Sequence, residues 1–224
     1  MAITEKEQTT FLNDLGGNER EIKMPKSTKV DLFMKLLNDL FDNKLIQLEK
    51  NNMFTDNLYL DLYKCISDKL KNITINKDDL KSFIYTSAPL DLDLNKYVLR
   101  GGLSGTLLQL LSERTDKFTF YINGYNMKYD YLFFEANLKE NDNLIIDNFE
   151  GDNICASLLH SKSKPNLIAF LNCKGEEIGS YMGYGKCNIN HLYLINNHSD
   201  HSLYKALLDS NVNNLYVINN KGFG

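Results

Sequence analysis

Apolar positions along the chain fall into two regimes. Between residues 27 and 115 they recur at helical spacing. Thr28, with Asp31 three residues on, predicts a helix start of the capping-box kind, followed by Val30, Phe33, Leu37, Leu40 and Phe41 on one face. A second helix is expected from Thr55, lined by Leu58, Leu62, Cys65, Ile66 and Leu70. A third is expected from Asn76, with Asp78 and Asp79 in its first turn, where negative charge complements the helix dipole. Ala88-Pro89 ends it. A fourth is expected over 104–113, carrying Leu103, Leu107, Leu108, Leu110 and Leu111 as its apolar set. Beyond Thr115 the texture turns to strand formers: Phe118, Phe120, Ile122, Tyr129, Tyr131, Phe133 and Phe134. Asn123-Gly124 lies between two such runs and reads as a hairpin turn. Residues 1–26 are polar and contain Gly16-Gly17 and Pro25, with Phe11, Leu12 and Leu15 as apolar anchors, so a flexible tail is expected there.

The later half repeats itself. Asn143-Leu-Ile-Ile-Asp-Asn148, Asn166-Leu-Ile-Ala-Phe-Leu-Asn172, His191-Leu-Tyr-Leu-Ile-Asn196 and Asn214-Leu-Tyr-Val-Ile-Asn219 align on Leu144, Leu167, Leu192 and Leu215. Those leucines are 23, 25 and 23 residues apart, a period that belongs to solenoids. The run from Phe118 to Ile122 lies a similar distance before Leu144 and reads as a degenerate first copy. A single strand and its return cannot bury an apolar face, but stacked copies can. Asn148, Asn172, Asn196, Asn197, Asn219 and Asn220 sit where each copy must turn. Asn tolerates left-handed backbone, and stacked Asn amides can bond from one coil to the next.

The second unit continues Asn172-Cys-Lys-Gly175-Glu176-Glu-Ile178-Gly179-Ser-Tyr-Met182-Gly183-Tyr-Gly185, and the first continues Gly151-Asp152-Asn-Ile154-Cys155-Ala156-Ser-Leu158. These runs resemble the glycine-repeat β-helix domain at the C-terminus of the glutamate synthase large subunit, a domain type that also forms one of the subunits of formylmethanofuran dehydrogenase. The resemblance covers residues 144–224 and is clearest in the second unit. The third unit departs from it, with Ser199-Asp200 in place of glycine-acid and Ala206-Leu207-Leu208 in place of the glycine pair. The resemblance implies a parallel β-helix with an architectural role and carries over no catalytic residue. A leucine-rich repeat is the competing reading, because Ile189-x-x-Leu192-x-Leu194-x-x-Asn197 and Val212-x-x-Leu215-x-Val217-x-x-Asn220 fit its spacing. The hydrophobe expected two residues after each Asn is Ser199 or Gly222 instead.

Composition narrows the function classes. The chain is 43% hydrophobic and 24% charged, enough for a buried core. A net charge of -4 with scattered basic residues excludes bulk electrostatic binding of nucleic acid. There is no apolar run long enough to cross a membrane and no signal-peptide pattern at the start, so a cytoplasmic protein is expected. Cys65, Cys155, Cys173 and Cys187 lack paired spacing and read as free thiols.

Candidate chemistry is sparse. Arg100-Gly101-Gly102-Leu-Ser104-Gly105-Thr106 opens the expected fourth helix, and free N–H groups at a helix start can hold an anion. A Walker motif would need lysine where Gly105 stands. Glu150, Cys173 and His198 share one offset from their leading leucines, which predicts a column of zinc-competent side chains about 5 Å apart. Asp200 and His201 lie beside its end. The tyrosines from Tyr121 to Tyr131 could stack sugars if exposed, or pack as strand core if not. No nucleophile motif occurs, and no cofactor is implied. The last repeat strand, Leu215, Tyr216, Val217 and Ile218, lacks a polar cap, and an uncapped coil invites a second copy or another protein.

The expectation is an α+β chain: a tail over 1–26, a helical domain over 27–115, and a short parallel β-solenoid of 23–25-residue coils over 116–224. Its expected role is a non-catalytic scaffold or protein-interaction module that oligomerises or joins a larger assembly. The alternative is an enzyme or a small-ligand or carbohydrate binder with a site where helices meet solenoid.

Overall fold

The computed structural model describes residues 27–50, 56–159, 163–183, 187–199 and 211–221. The tail over 1–26 lies outside them, as do Asp200 and His201. Four helices come first: α1 (Val30–Lys50), α2 (Asp56–Leu70), α3 (Lys77–Ser87) and α4 (Leu94–Glu113). None of the described helices is long and apolar enough to cross a membrane. At the start of α3 the Asn76 side chain accepts from the Asp79 amide at 2.9 Å, and the Asp79 carboxylate accepts from the Asn76 amide at 2.9 Å. Two orphan N–H groups are satisfied at once. The same carboxylate also takes bonds from Ser27 Oγ and Lys29 Nζ, fastening the entry of α1 to α3.

The fourth helix corrects the sequence expectation. It begins at Leu94 on an Asp93 cap, whose side chain accepts from the Lys96 amide at 3.0 Å, not at residue 104. Every residue from Val98 to Ser112 is buried, so α4 has no polar face for a periodicity reading to find. Its glycines look like breakers in sequence; in space they are points of close approach.

Five strands follow in one parallel sheet, in the order β1 (Thr119–Lys128), β2 (Asn143–Glu150), β3 (Leu167–Leu171), β4 (Asn188–Ile195) and β5 (Asn211–Ile218). The chain is thus a helical part followed by a parallel β-solenoid. Phe120, Leu144, Ile168, Leu192 and Leu215 share one register, with steps of 24, 24, 24 and 23 residues. The second unit is therefore led by Ile168 and not by Leu167, which pairs with Asn143 and His191. Phe120 pairing with Leu144 makes the run from Phe118 a true first coil.

Asn123-Gly124 is not a hairpin. Strand β1 continues past it through an irregularity between Asn123 and Met127, with Tyr125 and Asn126 at positive φ. Local turn chemistry is still used there, but as a bulge, because parallel pairing with β2 competes with antiparallel return. Gly124 lies against Phe149, and a Cβ on it would be 2.6 Å from that ring.

Strands β3, β4 and β5 are each followed by an Asn with left-handed backbone, and β2 carries one two residues before its end: Asn148, Asn172, Asn196 and Asn219 have φ between 50° and 55°. Asn197 and Asn220 follow the last two and bond upward: Asn197 Nδ2 donates to Phe170 O at 2.9 Å and Asn220 Nδ2 to Leu194 O at 2.6 Å. At the strand starts a second ladder climbs the stack. Asn143 donates to Thr119 Oγ1, Asn166 to Asn143 Oδ1 and Asn190 to Asn166 Oδ1, at 2.9–3.1 Å.

The return legs are ladders of overlapping turns. In the first, Phe134 N bonds Tyr131 O and Ala136 N bonds Phe133 O. Phe133 and Glu135, third in their turns, both have φ near 56°, as a type II turn demands. The next two coils repeat this through Cys155 with Ser157, and Gly179 with Tyr181. Neighbouring legs are also joined, for example Tyr131 N to Asp152 O and Asn153 N to Glu176 O, both at 2.9 Å.

Phe120, Ile122, Leu144, Ile146, Ile168, Phe170, Leu192 and Leu194 point inward and join one continuous core that also holds Phe33, Leu62, Phe83 and Leu107. Ile145, Leu167, Ala169, Leu171 and Ile195 form a separate cluster on the outward face, flanked by Tyr121, Tyr193 and Ile218.

Candidate functional site

The two ends of the solenoid differ, and the difference is built by α4. In the second coil the amides of Cys155 and Leu159 bond to Leu132 O and Ala136 O of the first. The matching amides of the first coil, Phe133 and Asn137, have no earlier coil to use. They bond instead to Ser104 Oγ and Gln109 Oε1 of α4, both at 3.1 Å. Further along, Lys139 N bonds Ser112 Oγ at 3.2 Å, and Ser112 Oγ also donates to Asp142. Side chains on one face of α4 thus replace the carbonyls of a missing coil. The helix comes close enough because Gly101 and Gly105 carry no side chain. A Cβ there would stand 2.2 Å from Tyr131 O and 2.3 Å from Phe134 O.

This placement corrects the premise of the anion site. Arg100, Gly101, Gly102, Ser104, Gly105 and Thr106 lie inside α4, not at its start, and all are buried. Their backbone N–H groups belong to the helix ladder, so no phosphate cradle is formed there. The Arg100 guanidinium is 1% exposed and lies 3.9 Å from the Tyr129 ring centroid and 5.0 Å from that of Tyr97. Its Nη1 donates to Ser87 O at 3.0 Å and Ala88 O at 3.2 Å. Those carbonyls close α3, at the negative end of the helix dipole. The charge is spent on joining α3, α4 and the first coil. Tyr129, buried beside it, has its phenol pKa raised chiefly by that burial, against the opposing pull of Arg100.

The metal column also changes once the register is known. Glu150, Lys174, His198 and Lys221 form the column, each bridged to the next. Lys174 Nζ meets Glu150 Oε1 at 2.9 Å. Cys173 is one residue out of step, faces the core and is 0% exposed. Burial pushes its thiol pKa up to about 12, which disfavours the thiolate a zinc site needs. No group of three ligating side chains that could hold a metal occurs among the described residues.

The aromatic run divides. Tyr129 and Phe133 are core, fully buried. Tyr121 donates to Asp147 Oδ2 at 3.0 Å, where Asn123 Nδ2 and Asn172 Nδ2 also bond the same carboxylate at 3.1 and 2.8 Å. Burial raises the Asp147 pKa, against the opposing bonds from Asn172, Tyr121 and the Asn148 amide. With its lone pairs engaged, Asp147 is a corner post between coils. Sequence reasoning missed it, although Asp147 stands just before a predicted turn Asn.

At the opposite end β5 pairs with β4 on one side and has no strand on the other among the described residues. Leu215 is 44% and Val217 49% exposed, whereas Leu192 and Leu194, one coil earlier in the same register, are 0%. Strand β5 reads Asn-Val-Asn-Asn-Leu-Tyr-Val-Ile, without a charge or a proline. Tyr216 stacks on Tyr193 with centroids 4.3 Å apart and planes 7° from parallel. Ile218 O accepts from Asn196 N, so it faces β4. By strand alternation the backbone groups of Leu215 and Val217 then face the open edge. Of the expected interface residues, Leu215 and Val217 present core-type side chains at that end, while Tyr216 and Ile218 lie on the outward face. Comparison with family models, with curated proteins and with solved structures returns no match to this chain.

Proposed function

We propose that the chain is a non-catalytic scaffold or protein-interaction module, a subunit of a larger assembly, and that β5 is its contact edge. The observation that carries this reading is the asymmetry of the ends. One end has side chains on α4 for three orphan amides of its return leg, those of Phe133, Asn137 and Lys139. The other offers an uncharged strand with two half-exposed core residues. Natural edge strands are ordinarily protected by charge, proline or a covering element, and a bare edge accepts an added strand. The resemblance to glycine-repeat β-helix domains supports an architectural role. The alternative, a ligand site at the helix–solenoid junction, would have to lie away from Gly101 and Gly105, where backbone meets backbone. A cytoplasmic location suits four cysteines that are all unpaired.

A fluorescent peptide copying residues 211–218 tests the edge. Saturable binding measured by anisotropy, lost in Val217→Lys, is expected. No binding by the wild-type chain ends the reading.

A further inference from the structure

We infer that the partner of β5 is β5 of a second copy, and that the resulting assembly is a closed two-fold dimer and not a filament. The inference rests on the reading of β5 as a contact edge and adds the identity of what fills it.

Head-to-tail stacking would give a filament, because each coil end would meet the opposite end of the next molecule. That route is blocked. The return leg of the first coil is covered, so a whole coil cannot stack there: α4 lies on it with Gly101 and Gly105 in contact, and the Phe133, Asn137 and Lys139 amides are already bonded. The like surface left to an open β5 is another β5, and two identical edges meet about a two-fold axis, antiparallel.

The strand is self-complementary in that arrangement. Leu215 and Val217 turn their backbone groups to the edge, so they make the bonded pairs: Leu215 opposite the partner's Val217, and the reverse. That register places Tyr216 opposite its own copy in a non-bonded pair, where side chains come closest. Leu215 and Val217 then continue the core formed by Leu192 and Leu194. Tyr216, already stacked on Tyr193, extends that ring column across the axis. No like charges meet, because β5 has none.

Size-exclusion chromatography with light scattering on the full chain tests this, together with two variants. The wild type is expected at twice the chain mass at tens of micromolar. Val217→Lys sets two ammonium groups near the axis and is expected at the monomer mass; the site is half exposed, so the fold is retained. Tyr216→Cys is expected to give a disulfide-linked dimer on mild oxidation, absent in the wild type. A monomeric wild type overturns the inference. If that monomer still takes up the 211–218 peptide, the contact-edge reading survives with another chain as partner; if it does not, both fall. A dimer that persists in Val217→Lys, or an open-ended series of oligomers, also overturns it.

Discussion

Replacing Gly105 by alanine should cost the protein stability, against the usual sign for a helix interior. In an unconstrained helix the change gains about 0.8–1.0 kcal/mol, because alanine loses less backbone freedom. Here the new Cβ would stand 2.3 Å from Phe134 O and 3.3 Å from Phe133 C, all backbone of the first coil. The coil cannot swing aside as a side chain would, so α4 must retreat by about 1 Å. Overpacking of this kind costs roughly 1–3 kcal/mol. Retreat also stretches the Ser104–Phe133 and Gln109–Asn137 bonds, and a buried amide left unpaired costs about 1–3 kcal/mol. After the propensity gain, a net loss of about 1–5 kcal/mol is expected for Gly105→Ala, and the same for Gly101→Ala, whose Cβ would meet Tyr131 O at 2.2 Å. Gly102 is the internal control. Its Cβ would meet only Leu62 Cδ2, at 2.5 Å, the movable end of a side chain. Gly102→Ala should lie within about 1 kcal/mol of wild type. Urea unfolding followed by circular dichroism gives all three values. Equal effects at the three positions, or a stabilised Gly105→Ala, would refute the account of α4 as a coil-capping helix.

Three further outcomes follow. Asn197→Ala removes the acceptor of Cys173 N and the donor to Phe170 O in a site 1% exposed, and should cost about 2–4 kcal/mol by the same unfolding assay. Burial opposes the Asp79 carboxylate, but its bonds to Ser27, Lys29 and the Asn76 amide prevail and hold its pKa below 3.8. The stability it adds is therefore present above pH 3.8 and is lost as pH falls through the lower folded value; Asp79→Asn should flatten that acid limb of the stability curve, and an unchanged limb would count against the cap. A thiol reagent at pH 8 should label Cys65 in the native chain and spare Cys155 and Cys173, which are fully buried with raised pKa values; rapid labelling of either would mean that the coils open.

The parts of the fold that were legible in sequence are those fixed by local chemistry repeated in register. The start of α3 at Asn76, with Asp78 and Asp79 in its first turn, is one, although the capping box itself is expected from sequence at Thr28 and Asp31; the left-handed Asn at the corners after β3, β4 and β5 is another. The parallel sheet follows from the repeat, since equal coils stack equal residues. What was hidden depends on neighbours remote in sequence. The one-residue slip at Leu167 arose because leucine occupies the outward face of the second coil, and identity alone cannot distinguish its two faces. That slip produced the supposed metal column. The glycines of α4 suggested a loop and an anion, since nothing local shows that Tyr131 and Phe134 press against them. The candidate edge was legible in part: the apolar run of β5 was visible, but not the capped opposite end that gives it meaning.

Residue-resolved hydrogen exchange at two protein concentrations tests the asymmetry of the ends most directly. The amides of Phe133 and Asn137, bonded to α4, should be protected at every concentration. Those of Leu215 and Val217 should exchange rapidly in dilute protein and become protected as concentration rises. Protection of Leu215 and Val217 at all dilutions would show the edge to be covered within one chain, and free exchange at Phe133 and Asn137 would show the helix not to be a cap; either result contradicts the account.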